Sequence, residues 1–162
     1  MAIRYLKITL VVIISLLCLV YASQNVANLD AAFQAFAYVT GMTDHAVYSA
    51  TFGAAIHNST LVWAALSIVI ACEYAAGLLA AKGAWDLWAA RKAPAAQFNS
   101  AKTFALLGCG MGMIVWFGFF GVIAGAYFQM WQTDVGQSSL EGAFQIFGSC
   151  AFVFLIVNMA DD

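Results

Sequence analysis

Long apolar stretches alternate with polar ones along this chain, and four of them reach the length of a membrane crossing. They cover residues 5–22, where "ITLVVIISLLCLV" dominates, 61–81, 103–127 and 140–159. A helix needs about 20 mostly apolar residues to cross the hydrocarbon core, and an open sheet there leaves backbone groups unpaired. The pattern therefore predicts an all-α, polytopic membrane protein, a four-transmembrane-helix bundle forming one domain over residues 1–162. Arg4 and Lys7 at the start of the first run and "VYA" at its end imitate a cleaved leader, but the run is expected to stay as an anchor.

The connection 23–58 exceeds the two to eight or so residues usual between bundle helices. Within it "NLDAAFQAFAYVTGM" offers Asn28 as an N-cap, Phe33 and Phe36 on one face, and Gly41 as a stop. That predicts a short helix lying on the membrane surface or over the bundle mouth. The connection 82–102 sets Trp85 and Trp88 beside Arg91 and Lys92, which predicts a second interfacial helix ending before Pro94.

Composition narrows the class. Only 9% of the 162 residues are charged while 64% are hydrophobic, too few charges to cover a soluble surface. A net charge of −2, without any run of basic and aromatic residues, gives no polyanion site, so nucleic acid is not an expected partner. All six basic residues, Arg4, Lys7, Lys82, Arg91, Lys92 and Lys102, fall at the N-terminus or in the second-to-third connection. Four crossings put those segments on one side. The positive-inside rule makes it cytoplasmic, with both termini, in a bacterial inner membrane. Cys18, Cys72, Cys109 and Cys150 each lie in an apolar run without CxxC spacing, as small buried apolar residues do.

Candidate chemistry is sparse. Glu73 lies within the second run, toward its cytoplasmic side, where a charge costs roughly 2.5–3.5 kcal/mol and marks a functional position by default. Its uses are a structural or assembly contact, or proton or ligand handling; Lys7 and Glu141 stand near the ends of their runs, and no other charged residue or histidine falls inside one. In the third run Gly108 and Gly112 form one GxxxG, and Gly121 with Gly125 another; this spacing lets helix backbones approach closely. The run ends in "GAYFQMWQTDVGQ". Tyr127 and Trp131 suit a membrane interface. Gln129, Gln132 and Asp134 are expected to hydrogen-bond the connection 23–58 and close the outer mouth. His45 and His57 lie outside the runs, Met111 and Met113 read as packing, and no HExxH, GxSxG or phosphate loop occurs. No cofactor, metal site or enzymatic activity is expected.

"CEYAAGLLAAKGAWDL" and "WFGFFGVIAGAYFQMWQTDVGQSSLEGAF" resemble the domain of unknown function 2165 family, bacterial small integral membrane proteins, over residues 55–148. The resemblance implies four spans, a glutamate in the second at Glu73, and an aromatic-Met-Trp-Gln ending of the third at residues 127–132. Thr43 departs from the family pattern between Met42 and Asp44, and His57 stands near the place of its usual arginine. The family brings no established activity. The expected role is a non-catalytic accessory subunit of a larger inner-membrane complex of respiratory or photosynthetic type, in contact with membrane lipids and compatible with homo-oligomers. The rival is a small transporter, channel or quinone- or lipid-binding protein using Glu73, and a further rival is a lipid-handling enzyme at the aromatic mouth.

Overall fold

A computed structural model describes residues 1–48 and 50–162. The described residues form helices and no strand. Helix α1 runs Ala2–Ala27, α2 Leu29–Thr40, α3 Ser59–Ala89 and α4 Ala95–Ser100. Helix α5, Thr103–Met113, continues without a break as a π-helix over Ile114–Tyr127. A 3₁₀ turn at Met130–Gln132 leads into α6, Asp134–Asn158. Four segments are long and apolar enough to cross a membrane: Ala2–Ala27, Ser59–Ala89, Ala95–Tyr127 and Asp134–Asn158.

These segments pack as a ring in the order α1, α3, α5 with its π extension, and α6, which returns to α1. Small residues set the closest approaches. A side chain at Gly83 would run into the backbone of Ala105, and one at Gly108 into that of Ala80, so α3 and α5 meet nearly backbone to backbone. Gly77 seats Leu19 of α1, and one turn away Ser15 Oγ donates to the Gly77 carbonyl at 2.9 Å. Cys18, Cys109 and Cys150, from three helices, are free thiols buried in the shared core.

The two ends of the ring differ. At the basic end the N-terminus, the α3–α4 turn, the start of α5 and the C-terminal tail converge. Lys7 Nζ and Lys102 Nζ each donate to Asp161 Oδ2 at 2.6 Å, and both also reach the Met159 carbonyl, at 2.6 and 2.7 Å. Asn99 exchanges two 3.0 Å hydrogen bonds with the Asp161 backbone. Arg4 donates to the carbonyls of Ala93 at 2.7 Å and Arg91 at 3.2 Å, and its guanidinium lies 4.6 Å from the Phe98 ring centre.

Several expectations change. The helices overrun the apolar runs, because backbone hydrogen bonding continues where hydropathy fades. Trp85 and Trp88 belong to the last turns of α3 rather than to a separate interfacial helix. Trp88 there meets the Tyr5 ring edge-on and the Arg91 guanidinium face-on. Helix α2 forms where expected and ends at Gly41, but Asn28 does not cap it; its amide donates back to the Gln24 carbonyl of α1 at 2.9 Å. Far from lying only over the mouth, α2 packs along α3, with Phe33 stacked on Trp63 at 4.6 Å.

Candidate functional site

Glu73 sits near the midpoint of the long α3, not toward its basic end as the shorter apolar run implied. It is 1% exposed. Its partner is the side chain of Asn25, whose amide donates to Glu73 Oε2 at 2.9 Å. Asn25 occupies the last turn of α1, a stretch that the apolar pattern assigned to a connection. Beside this pair the hydroxyls of Ser23 and Tyr74 lie 3.2 Å apart. The polar groups of α1 and α3 thus join one another across a single interface. Chemically, one amide and one carboxyl form a fixed hydrogen bond that pins the end of α1 to the middle of α3.

The second candidate lies at the far end, where the π-helix turns into α6. Gln129 adopts φ +51°, an uncommon left-handed backbone for a side-chain-bearing residue, and reverses the chain. Gly136 admits the Met130 carbonyl against its own backbone, where any side chain would collide. Gln132 Nε2 donates to Gln129 Oε1 at 2.7 Å, which orients the amide. Its Oε1 then accepts the backbone N–H groups of Val47 and Tyr48, both at 2.8 Å. Aromatic pairs lie beside this contact: Tyr48 meets Trp131 edge-on at 5.2 Å, and the almost fully exposed Phe52 meets Tyr127 at 6.3 Å.

Tyr127, Gln129, Trp131 and Gln132 are therefore drawn together beside Val47, Tyr48, Phe52 and Gly53. Asp134 stands apart, exposed in the first turn of α6, where a carboxylate complements the helix dipole; the neighbouring Thr133 provides the cap by accepting from Gly136 N–H at 3.1 Å. Among the described residues no group of three metal-ligating side chains converges, and Asp44 accepts from the Tyr38 hydroxyl at 3.3 Å.

The glycines divide by partner. Gly108 packs on α3, Gly112 on Cys150 of α6, and Gly125 on Leu140 of α6, whereas Gly121 meets only Phe117 of its own helix. Gly121 and Gly125 lie in the π-helix, where bonds such as Phe128 N–H to Ile123 O step five residues, and of the two only Gly125 is in contact with another helix. Sequence reasoning missed Asn25 and the Lys7–Lys102–Asp161 cluster; the signal for the latter was an acidic tail on the same side as every basic residue.

A family model described as predicted small integral membrane protein (DUF2165) matches residues 3–160. The chain belongs to this family. The match extends well beyond residues 55–148, so the DUF2165 pattern takes in α1 and α2, including Asn25, as well as the Glu73 helix and the far-end turn. No curated protein and no solved structure matches the chain.

Proposed function

We propose that this DUF2165 protein is a non-catalytic accessory subunit that packs against a larger integral membrane complex of the bacterial inner membrane, with both termini on the cytoplasmic side. The observation that carries the reading is a notch on α6. Gly148 has no atom within 4 Å of where a side chain would begin, and Phe144 and Phe152, one turn to either side, are exposed. Glycine inside a helix costs roughly 1 kcal/mol relative to alanine, and packing within this chain does not use the space it leaves. A neighbouring helix that seats a side chain between the two rings would use it. Glu73 agrees with the same reading, being buried and engaged by Asn25, whereas proton or ligand handling requires access to it.

The test is native-level expression with an epitope tag and extraction in mild detergent. The expected result is migration in an assembly containing other membrane proteins, lost on Gly148→Leu without loss of the folded monomer. Migration of the wild type alone, or in an assembly of this chain only, would overturn the proposal.

A further inference from the structure

The ring is complete only at the basic end. Helix α1 stops at Ala27, close to where Asn25 meets the middle of α3, so the 59–69 portion of α3 continues beyond it. There the neighbour of α3 is α2, which has no comparable packing against the π-helix or α6. The break follows from local chemistry. Asn28 has φ −126° and ψ 42°, off the helical backbone, and its side chain and N–H both turn back to the Gln24 carbonyl.

Where α1 would have continued, the structure has a cleft of about 300 Å³. Phe36 and Val39 of α2, Ala65 and Ile68 of α3, and Phe120 and Ala124 of the π-helix form its walls. Buried Phe128 and Met130, at the chain reversal held by Gln129 and Gln132, also line it. Four of its lining residues, Ala35, Ile68, Ile123 and Ser139, remain exposed, so the cleft opens on the flank of the bundle.

The lining restricts the occupant. No charged side chain contributes to it. Its hydroxyls are engaged: Thr40 Oγ1 donates to the Phe36 carbonyl at 2.8 Å and Ser139 Oγ to the Val135 carbonyl at 2.8 Å. Neither hydroxyl proton is free to donate to an occupant, and hydrocarbon is what the walls match. Size then separates hydrocarbon ligands from a partner helix. One helical turn, about 10 Å across and 5.4 Å long, fills more than roughly 400 Å³, whereas the cleft sits at the lower end of small-ligand pockets, about 300–1,000 Å³.

Depth identifies the source. Ala65 and Ile68 lie about 9 and 14 Å along α3 from Ser59, at a rise of about 1.5 Å per residue. That places them inside the crossing segment, in the half of the bilayer away from the basic end. Acyl chains are the material there, and a chain in the cleft gives its walls the close contacts that an empty space forfeits.

We infer that this cleft binds one acyl chain of a membrane phospholipid drawn from the leaflet away from the basic end, its headgroup remaining outside. The inference stands apart from the accessory-subunit reading, because it is tested on the isolated protein. The purified chain is reconstituted in phosphatidylcholine vesicles containing a small fraction of lipid with a mid-chain diazirine, and photo-adducts are mapped by mass spectrometry. Peptides carrying Val39, Ala65 and Ala124 are expected to label several-fold more densely than the α6 peptide carrying exposed Phe152. Ala124→Phe, which fills the cleft, is expected to bring them down to that level while leaving the Phe152 adducts unchanged. Ala65→Leu is a second filling variant, and circular dichroism identifies any variant that has lost its fold. Cleft labelling no denser than at Phe152 in the wild type, or dense labelling that survives filling in a folded variant, overturns the proposal. So does preferential labelling of the same residues by a diazirine-bearing isoprenoid quinone tested in parallel, which would assign the cleft to a polyprenyl chain.

Discussion

Lys7 and Asp161 stand 154 positions apart in the chain and meet at 2.6 Å, with side chains 3% and 6% exposed. Lys102 meets the same carboxylate oxygen at 2.6 Å. One carboxylate therefore gathers the start of α1, the start of α5 and the tail after α6. Asp161→Asn removes the charge that both ammonium groups face. Hydrogen bonds to charged groups contribute about 1.5–3 kcal/mol, and these contacts are part-buried. Unfolding in a denaturing-detergent titration should shift by an amount of that order, while Asp162→Asn, at an exposed position, should have little effect. Equal effects of the two would show that the cluster does not stabilise the fold.

The same carboxyl gives the protein an acid limb. Burial pushes its ionisation up, but the ammonium groups of Lys102 and Lys7 outweigh this and hold it below the ordinary aspartate value of 3.8. A group depressed on folding contributes stability that is complete above its unfolded value and is lost as pH falls through its folded value. Stability should therefore be insensitive to this group near neutral pH and fall below about pH 4, where unfolded aspartates begin to bind protons. Melting followed by circular dichroism across that range should show the decline, and Asp161→Asn should flatten it.

For Glu73 the prediction turns on the hydrogen bond rather than on charge. Asn25→Ala removes the donor and leaves a buried acceptor unpaired, at a cost of about 1–3 kcal/mol. Glu73→Gln keeps an oxygen that accepts from Asn25 and should cost less than Asn25→Ala. Parallel detergent titrations separate the two. A Glu73→Gln variant as unstable as Asn25→Ala would mean that the ionised carboxylate itself is required.

The glycines supply an internal contrast. Gly83→Ala drives a methyl group into the Ala105 backbone and should cost about 1–3 kcal/mol by forcing α3 and α5 apart. Gly142→Ala meets nothing within 4 Å and should be neutral or stabilising by up to about 1 kcal/mol, through helix propensity. Thermal stability of the two variants in one detergent measures the difference.

How far the sequence discloses this structure depends on the kind of signal. The four segments long enough to cross follow from run length, and α2 follows from Phe33 and Phe36 on one face and from Gly41 as its stop. Asn25 escaped because it lies three residues past the apolar run 5–22, and polarity was read as the end of a helix that continues to Ala27. The π-helix has no compositional signature, and the GxxxG spacing does not distinguish Gly125, which meets Leu140 of α6, from Gly121, which meets only Phe117 of its own helix. Gln132 was legible as a polar residue in need of partners beside an interface. Its partners, Val47 and Tyr48, are backbone groups and leave no mark in residue types. Lys7, Lys102 and Asp161 were each visible as charges at one end; only the return of the tail across the bundle makes them a cluster.

That cluster also has a place in time. A chain is made from its N-terminus, so Lys7 and Lys102 both emerge before Asp161, which follows the last helix. Until α6 has been synthesised and threaded, neither lysine has the carboxylate it will face, and the basic end stays open. The closing ion pairs thus report a finished bundle: a chain halted before its fourth crossing retains two unmatched ammonium groups, a chemical difference by which incomplete copies are distinguishable from complete ones.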